Sequence, residues 1–223
     1  MSFNIAIDGP AGAGKSTIAK KIAAKLSYIY VDTGAMYRAM ALYFLRLGLD
    51  AGDRDGMAAA CGGADISIRY VNGEQNVLLN EENVTPYIRS EEVGKMASQS
   101  SPIPQVREKL TQLQKDLAAR EDVVMDGRDI GTCVLPGAQV KIYLTASTHT
   151  RALRRFRELE ERGLKESLEE IEADIADRDY RDMHRDISPL RQAEDAWYLD
   201  TSDMGIDEVV AAILNRVEQV REG

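Results

Sequence analysis

Cysteine, histidine and tryptophan are scarce in this chain: 223 residues hold two, two and one of them. Cys61 and Cys133 stand far apart, in neither a metal-ligand nor a secretory pattern, and are read as ordinary reduced thiols of a cytosolic protein. His149 and His184 fall in no Ser/His/Asp or metal-ligand arrangement, so neither is given a catalytic role. Positive charge is also short. Lys and Arg number 28 against 37 Asp and Glu, a net charge of −9. Such a surface repels nucleic-acid backbones, and any anionic ligand must be held by a local basic cluster. No apolar run reaches the roughly 18 residues of a membrane span, and no charged and apolar leader precedes the first strand-like segment. The expectation is a cytoplasmic monomer with neither membrane nor nucleic acid as partner. At 44% hydrophobic residues, the chain can bury one sizeable core with room for a small insertion.

What is present is concentrated at the start. Gly9-Pro10-Ala11-Gly12-Ala13-Gly14-Lys15-Ser16, followed by Thr17, has two glycines with four residues between them and then Lys and Ser, the spacing of a phosphate-binding loop. Before it, Phe3 to Asp8 is short, apolar and β-branched. After it, Ile18, Ile22 and Leu26 recur at helical spacing. The glycines let main-chain N–H groups approach an anion, with the positive end of the helix dipole behind them. Lys15 would reach the β and γ groups of a nucleotide, and Ser16 would ligate Mg²⁺.

Strand-like runs recur at Phe3–Asp8, Tyr28–Val31, Val123–Asp126, Val140–Thr145 and Trp197–Asp200, separated mostly by helical patterns. This alternation predicts an α/β fold: a five-stranded parallel sheet flanked by helices, the last of them near Ile206–Val220. Residues 64–80 break the rhythm with two alternating runs around Asn72-Gly73, a hairpin signal foreign to a parallel sheet. We expect residues 1–62 and 96–223 to form the core and 63–95 a small antiparallel insertion, which is either a substrate-binding lobe or decoration.

Four further constellations carry charge. Val123-Val124-Met125-Asp126 is an apolar strand ending in a carboxylate, placing Asp126 either on Mg²⁺ or as the cap of the next turn. In Asp32-Thr33-Gly34-Ala35-Met36-Tyr37-Arg38, Thr33 can cap a helix that presents Arg38 one turn on, a second anion site or a simple capped helix. Asp126-Gly127-Arg128-Asp129-Ile130-Gly131-Thr132 packs a guanidinium and two carboxylates between glycines, costly unless it binds something. Finally, Arg151, Arg154 and Arg155 share a helical face, as do Arg178, Asp182 and Arg185. The first group is a phosphate-clamping lid, about residues 150–165, or a solvated face with Arg154 paired to Glu158 and Arg157 to Glu161. The second reads in isolation as a surface ion-pair ladder or a ligand-binding stripe. Arginine recurs and no general base stands out, an inventory suited to phosphoryl transfer.

Taken in this order, Ile7 to Thr17, Asp32 to Arg38, Gly127 to Thr132, Arg178 to Asp182, Ser188-Pro189-Leu190 and Asp195 to Ser202 resemble the bacterial cytidylate kinases over nearly the whole chain. That resemblance implies a P-loop NTPase core with a helical lid, transferring the γ-phosphoryl of ATP to CMP or dCMP. It implies ATP with Mg²⁺ on residues 9–17, with Ser16 and Asp126 on the metal side. It further implies catalytic roles for Lys15, Arg128 and Arg178; acceptor phosphate held by Arg38 and Arg128; sugar held by Arg178 and Asp182 near Thr33; and cytosine read by Ser98, Arg107, Asp129 and Arg185. Other small acceptors, such as UMP, AMP or shikimate, define the nearest alternatives. A GTP switch would need an Asn-Lys-x-Asp element, and the sequence contains none.

Overall fold

The computed structural model describes residues 2–71, 74–161 and 163–222; Asn72 and Gly73, expected to make the hairpin turn, and Arg162 lie outside the described residues. In chain order the elements are β1 (Asn4–Asp8), α1 (Lys15–Leu26), β2 (Ile29–Asp32), α2 (Thr33–Arg46), α3 (Arg54–Ala60), β3 (Ile66–Val71), β4 (Glu74–Leu79), β5 (Glu82–Asn83), α4 (Glu91–Ser100) and α5 (Pro104–Ala118). They continue with β6 (Val123–Gly127), a π-helical turn (Ile130–Val134), β7 (Val140–Thr145), α6 (Thr148–Glu161), α7 (Leu168–Met183), β8 (Trp197–Asp200) and α8 (Ile206–Glu222). All five strands expected from the apolar runs form one sheet, in the order β2-β6-β1-β7-β8.

The chain divides into two compact units, Met1–Tyr30 with Glu121–Gly223, and Val31–Arg120. In the first, β1 pairs in parallel with β6 and β7, with Ile7 opposite Asp126 and Ile142, and Asp8 opposite Gly127 and Tyr143. This register brings the carboxyl ends of the strands, and hence Asp8 and Asp126, to one sheet edge, where ligands of open α/β sheets bind. Ile5, Ile7, Val124, Ile142 and Leu144 meet Ile18 and Ile22 of α1 and Val209, Ile213 and Val217 of α8 in one apolar cluster. Each such side chain contributes about 1.5–3 kcal/mol by leaving water, which holds the sheet edge rigid. The helices α6 and α7 share a smaller core of their own, Ala152, Leu159, Ile171 and Ile175. Ser167 and Glu170 start α7 with a reciprocal capping box.

The second unit opens with α2, whose Met36, Met40 and Phe44, at four-residue spacing, are fully buried. Its cap differs from expectation. Asp32, not Thr33, accepts the Ala35 N–H at 2.9 Å, and Thr33 is already helical. The carboxylate wins because Asp32 keeps the extended backbone of a strand end, which aims its oxygen at the first turn. The hairpin is as expected, with β3 antiparallel to β4 from Ile66 opposite Leu79 to Val71 opposite Glu74. A third strand, β5, extends this sheet by two residues. Pro104 opens α5 where its missing N–H is harmless. Among the described residues, no helix is long and apolar enough to cross a membrane.

Candidate active site

At the end of β1 the chain enters the glycine loop through Gly9, at φ 151°, where a Cβ would overlap the Leu144 carbonyl oxygen of β7. Only glycine fits that approach. Gly14, at φ 84°, then turns the chain into α1. Lys15 is buried, and its ammonium donates to the Pro10 carbonyl within the loop at 2.7 Å. Burial, reinforced by the nearby positive charge of Arg128, lowers its pKa to about 7, against the pull of Asp126, Asp8 and Asp182.

Asp126, buried at the end of β6, accepts from the Ser16 hydroxyl and from the Tyr30 hydroxyl, each at 2.9 Å. A hydroxyl and a carboxylate are the hard oxygen donors that Mg²⁺ accepts alongside phosphate oxygens. The residues therefore fit the expected ion. Asp8 is buried too, and its two carboxylate oxygens accept the Ile130 and Gly131 N–H groups at 2.7 Å each. Burial pushes its pKa up to about 6, while those two backbone bonds act in the opposite sense. The bonds fix the start of the π-helical turn, and so the Arg128-Asp129 pair just before it.

Arg128 donates from Nε to Asp182 Oδ2 at 2.8 Å. Asp182, only 2% exposed, also accepts from Arg185. Burial works against ionisation there, but Arg128 and Arg185 outweigh it and hold the Asp182 carboxyl below its ordinary range, with Arg178 adding to the effect. This overturns the surface-ladder alternative, because the central carboxylate is inside the protein. It also corrects the single helical stripe. Helix α7 ends at Met183, so Arg185 reaches back to Asp182 from beyond the helix. Asp129 is buried, and its carbonyl accepts the Cys133 N–H at 2.9 Å.

The arginine-rich helix departs further from expectation. Arg151 is buried instead of lying on a solvated face with Arg154 and Arg155. Arg154 donates to the Thr201 carbonyl at 2.8 Å, and it is Arg155 that pairs with Glu158. At spacing i, i+3 the second pair is as close as i, i+4 would be, and Thr201 offers Arg154 a fixed backbone acceptor.

The remaining expected site residues belong to the second unit. Thr33 is buried at the start of α2, and Arg38 on the same helix donates to the Ile88 carbonyl at 3.2 Å. Ser98 is half-buried on α4. Arg107 is buried on α5, donates to the Ser101 carbonyl and has its guanidinium 5.6 Å from the Tyr37 ring centre. The first unit thus gathers Lys15, Ser16, Asp126, Arg128, Asp129, Arg178, Asp182 and Arg185, and the second carries Thr33, Arg38, Ser98 and Arg107. Sequence reasoning missed Tyr30 and Asp8. A tyrosine in an apolar strand reads as core, but an aspartate directly before the first loop glycine was a usable signal.

Comparison with known proteins is consistent across the chain. A family model described as cytidylate kinase matches residues 5–219. The cytidylate kinase of Lactobacillus johnsonii is 49% identical over 217 residues, covering 97% of this chain and 94% of its own. That of Carboxydothermus hydrogenoformans is 50% identical, covering 95% and 96%. Among solved structures, a gluconokinase from Sinorhizobium meliloti is similar in fold, with a TM-score of 0.53 and 13% identity over 99% of this chain and 94% of that one.

Proposed function

The chain belongs to the cytidylate kinase family, and we propose how its residues divide the family's reaction, the transfer of the γ-phosphoryl group of ATP to CMP or dCMP. Gly9 to Thr17 cradle the ATP phosphates, with Lys15 on the transferring group. Ser16 and Asp126 hold Mg²⁺, which supplies neutralisation of phosphate charge when bound. Arg128 and Arg38 grip the acceptor phosphate, Arg178, Asp182 and Thr33 orient the sugar, and Asp129, Arg107, Arg185 and Ser98 read cytosine. With ATP as donor and nucleotides as its partners, the enzyme works in the cytoplasm.

One observation carries this assignment. Lys15 is buried and its pKa is lowered first by that burial and then by the positive charge of the part-buried Arg128, whose side chain is 20% exposed. A transferring phosphoryl group between donor and acceptor would bring both cations an anion, and its charge would be stabilised by groups already placed around it. Asp129 suits cytosine, since a carboxylate only accepts hydrogen bonds and the cytosine amino group only donates.

The test is ADP release in a coupled assay with CMP, dCMP, UMP, AMP and shikimate as acceptors. CMP and dCMP should stand well above the rest. Turnover that is equal with no acceptor present would make the protein a hydrolase instead, and a preference for shikimate or AMP would refute the base assignment.

A further inference from the structure

Arg151 opens an arginine-rich helix, yet all of its donors face inward. Its Nε donates to the Ala146 carbonyl at 2.9 Å, Nη1 to the Ala11 carbonyl at 2.9 Å, and Nη2 to the Thr148 hydroxyl at 3.1 Å. The same Nη2 pairs with Asp179 Oδ2 at 2.7 Å, and the arginine side chain is 5% exposed. Ala11 lies inside the glycine loop, and the next residue, Gly12, is so close that an added Cβ would stand 3.4 Å from the Arg151 Cβ. For Arg151 to reach a phosphoryl group it would have to give up several bonds at once.

At the other end of the pair, Asp179 sits on α7 beside Arg178 and one turn before Asp182. Its charge also acts on Arg128. Among the described residues, Asp179 Oδ1 is buried without a hydrogen-bond partner. An orphaned carboxylate oxygen is costly, so an arrangement that brings it a donor lies close in free energy to the one seen. The contacts run without a gap from the loop carbonyl through Arg151 and Asp179 to the helix bearing Arg178 and Asp182.

We propose that Arg151 and Asp179 couple the two substrate sites, so that occupation of the glycine loop adjusts α7 and raises affinity for the nucleoside monophosphate. They are positioning residues, and the proposal rests on the assignment of the loop to ATP and of α7 to CMP. Nucleotide phosphates drawing on the N–H groups of the loop reorient the Ala11 peptide, the Ala11 carbonyl loosens its hold on Arg151 Nη1, Arg151 shifts its fork, and Asp179 offers its open oxygen to the freed donor. By reciprocity CMP must tighten ATP by the same factor.

The experiment is calorimetric titration of the full-length protein with CMP, with and without saturating adenylyl-imidodiphosphate and Mg²⁺. Wild type should bind CMP at least about fivefold tighter in the ternary complex, within the usual range of coupling between sites. Asp179→Asn, which keeps the shape and loses the charge, should bring that factor to within about twofold of one, with binary CMP affinity changed by less than about threefold. Arg151→Lys, which keeps the charge and loses the planar fork, should do the same. A merely structural pair would lower Tm in both variants and leave the coupling factor at the wild-type value, and that result overturns the proposal. So does a drop in kcat confined to Arg151→Lys with coupling intact in Asp179→Asn, the signature of an arginine that contacts the phosphoryl group. A wild type that binds no CMP would sink the assignment of the sites, whereas one that binds both ligands independently sinks the coupling alone.

Discussion

Replacing Asp8 by asparagine should make the protein slower and, above neutral pH, no less stable. The carboxylate is buried, and its pKa is raised from 3.8 to about 6, chiefly by that burial. A group whose pKa is higher folded than unfolded contributes its full stabilisation below the unfolded value and loses it as pH rises through the folded one. Across pH 4 to 8, ionising Asp8 therefore withdraws about 2.5 kcal/mol from wild type, since each tenfold change in an ionisation equilibrium is worth about 1.4 kcal/mol. Asparagine stays neutral throughout. It presents one acceptor oxygen where two N–H groups, of Ile130 and Gly131, now find one each, and the orphaned N–H costs about 1–3 kcal/mol. The two effects nearly cancel at pH 8. The stability difference between variant and wild type should therefore swing by about 2.5 kcal/mol in favour of the variant between pH 4 and pH 8. Activity should fall about tenfold or more, because the turn that carries Arg128 and Asp129 loses an anchor and misplacement by a fraction of an ångström is expensive in the transition state. Urea unfolding at four or five pH values, with turnover measured alongside, is the assay. A stability difference flat across that range, or a variant with wild-type turnover, would refute the reasoning.

Three further outcomes follow from the site. Burial lowers the Lys15 pKa to about 7, and a bound triphosphate would raise it. ATP binding at pH 8 should thus take up close to one proton and weaken as pH rises above 7, which calorimetry in buffers of different ionisation enthalpy detects; zero uptake contradicts it. Tyr30→Phe removes a donor to Asp126 while leaving the apolar ring. The Mg²⁺ concentration for half-maximal activity should shift by several-fold with little change in Tm, as for other residues that orient a ligand, and an unchanged metal dependence counts against the role. Asp129→Asn should narrow the ratio of kcat/KM for CMP over UMP from roughly tenfold to a hundredfold toward unity, mainly by loss on CMP. A variant that retains the full preference rules out base reading at this position.

How far the sequence foretold this structure depends on how local each signal is. Apolar runs such as Ile5 to Ile7 and Val123 to Met125 declare buried strands because every one of their neighbours in the sheet demands the same thing of them. The loop from Gly9 to Ser16 declares its geometry through glycines, Gly9 for its close approach to Leu144 and Gly12 and Gly14 for their positive φ. The hairpin strands flanking Asn72-Gly73 were visible for the same reason, whereas the two-residue β5 is too short to leave a period. Side-chain partners were harder. Nothing in the run from Arg151 to Arg157 separates an arginine that is buried from one that pairs with Glu158, since the difference lies in what the fold places opposite each turn. Thr33 and Asp32 are both good caps, and only the backbone at the strand end decides between them. For Asp182 the residues left a surface ladder and a binding stripe both open, because a carboxylate between arginines is ordinary on a helix and costly only once buried.

The hydrogen bond from Lys15 to the Pro10 carbonyl bears on the end of the catalytic cycle as much as on its beginning. With ATP assigned to the loop, an ammonium that loses its phosphate keeps the attraction of Asp126, Asp8 and Asp182 but would lack a hydrogen-bond acceptor, and the enzyme would hold ADP the longer for it. Because the loop offers its own oxygen at 2.7 Å, the departing phosphate is replaced by an acceptor already in place. On that assignment the cost of leaving would be lower by about the 1–3 kcal/mol that an unsatisfied group would otherwise impose. In kinetic terms the loop acts as its own displacing ligand, trading some grip on the donor for a faster exit of the product, a useful bargain where release and not chemistry sets the pace of turnover.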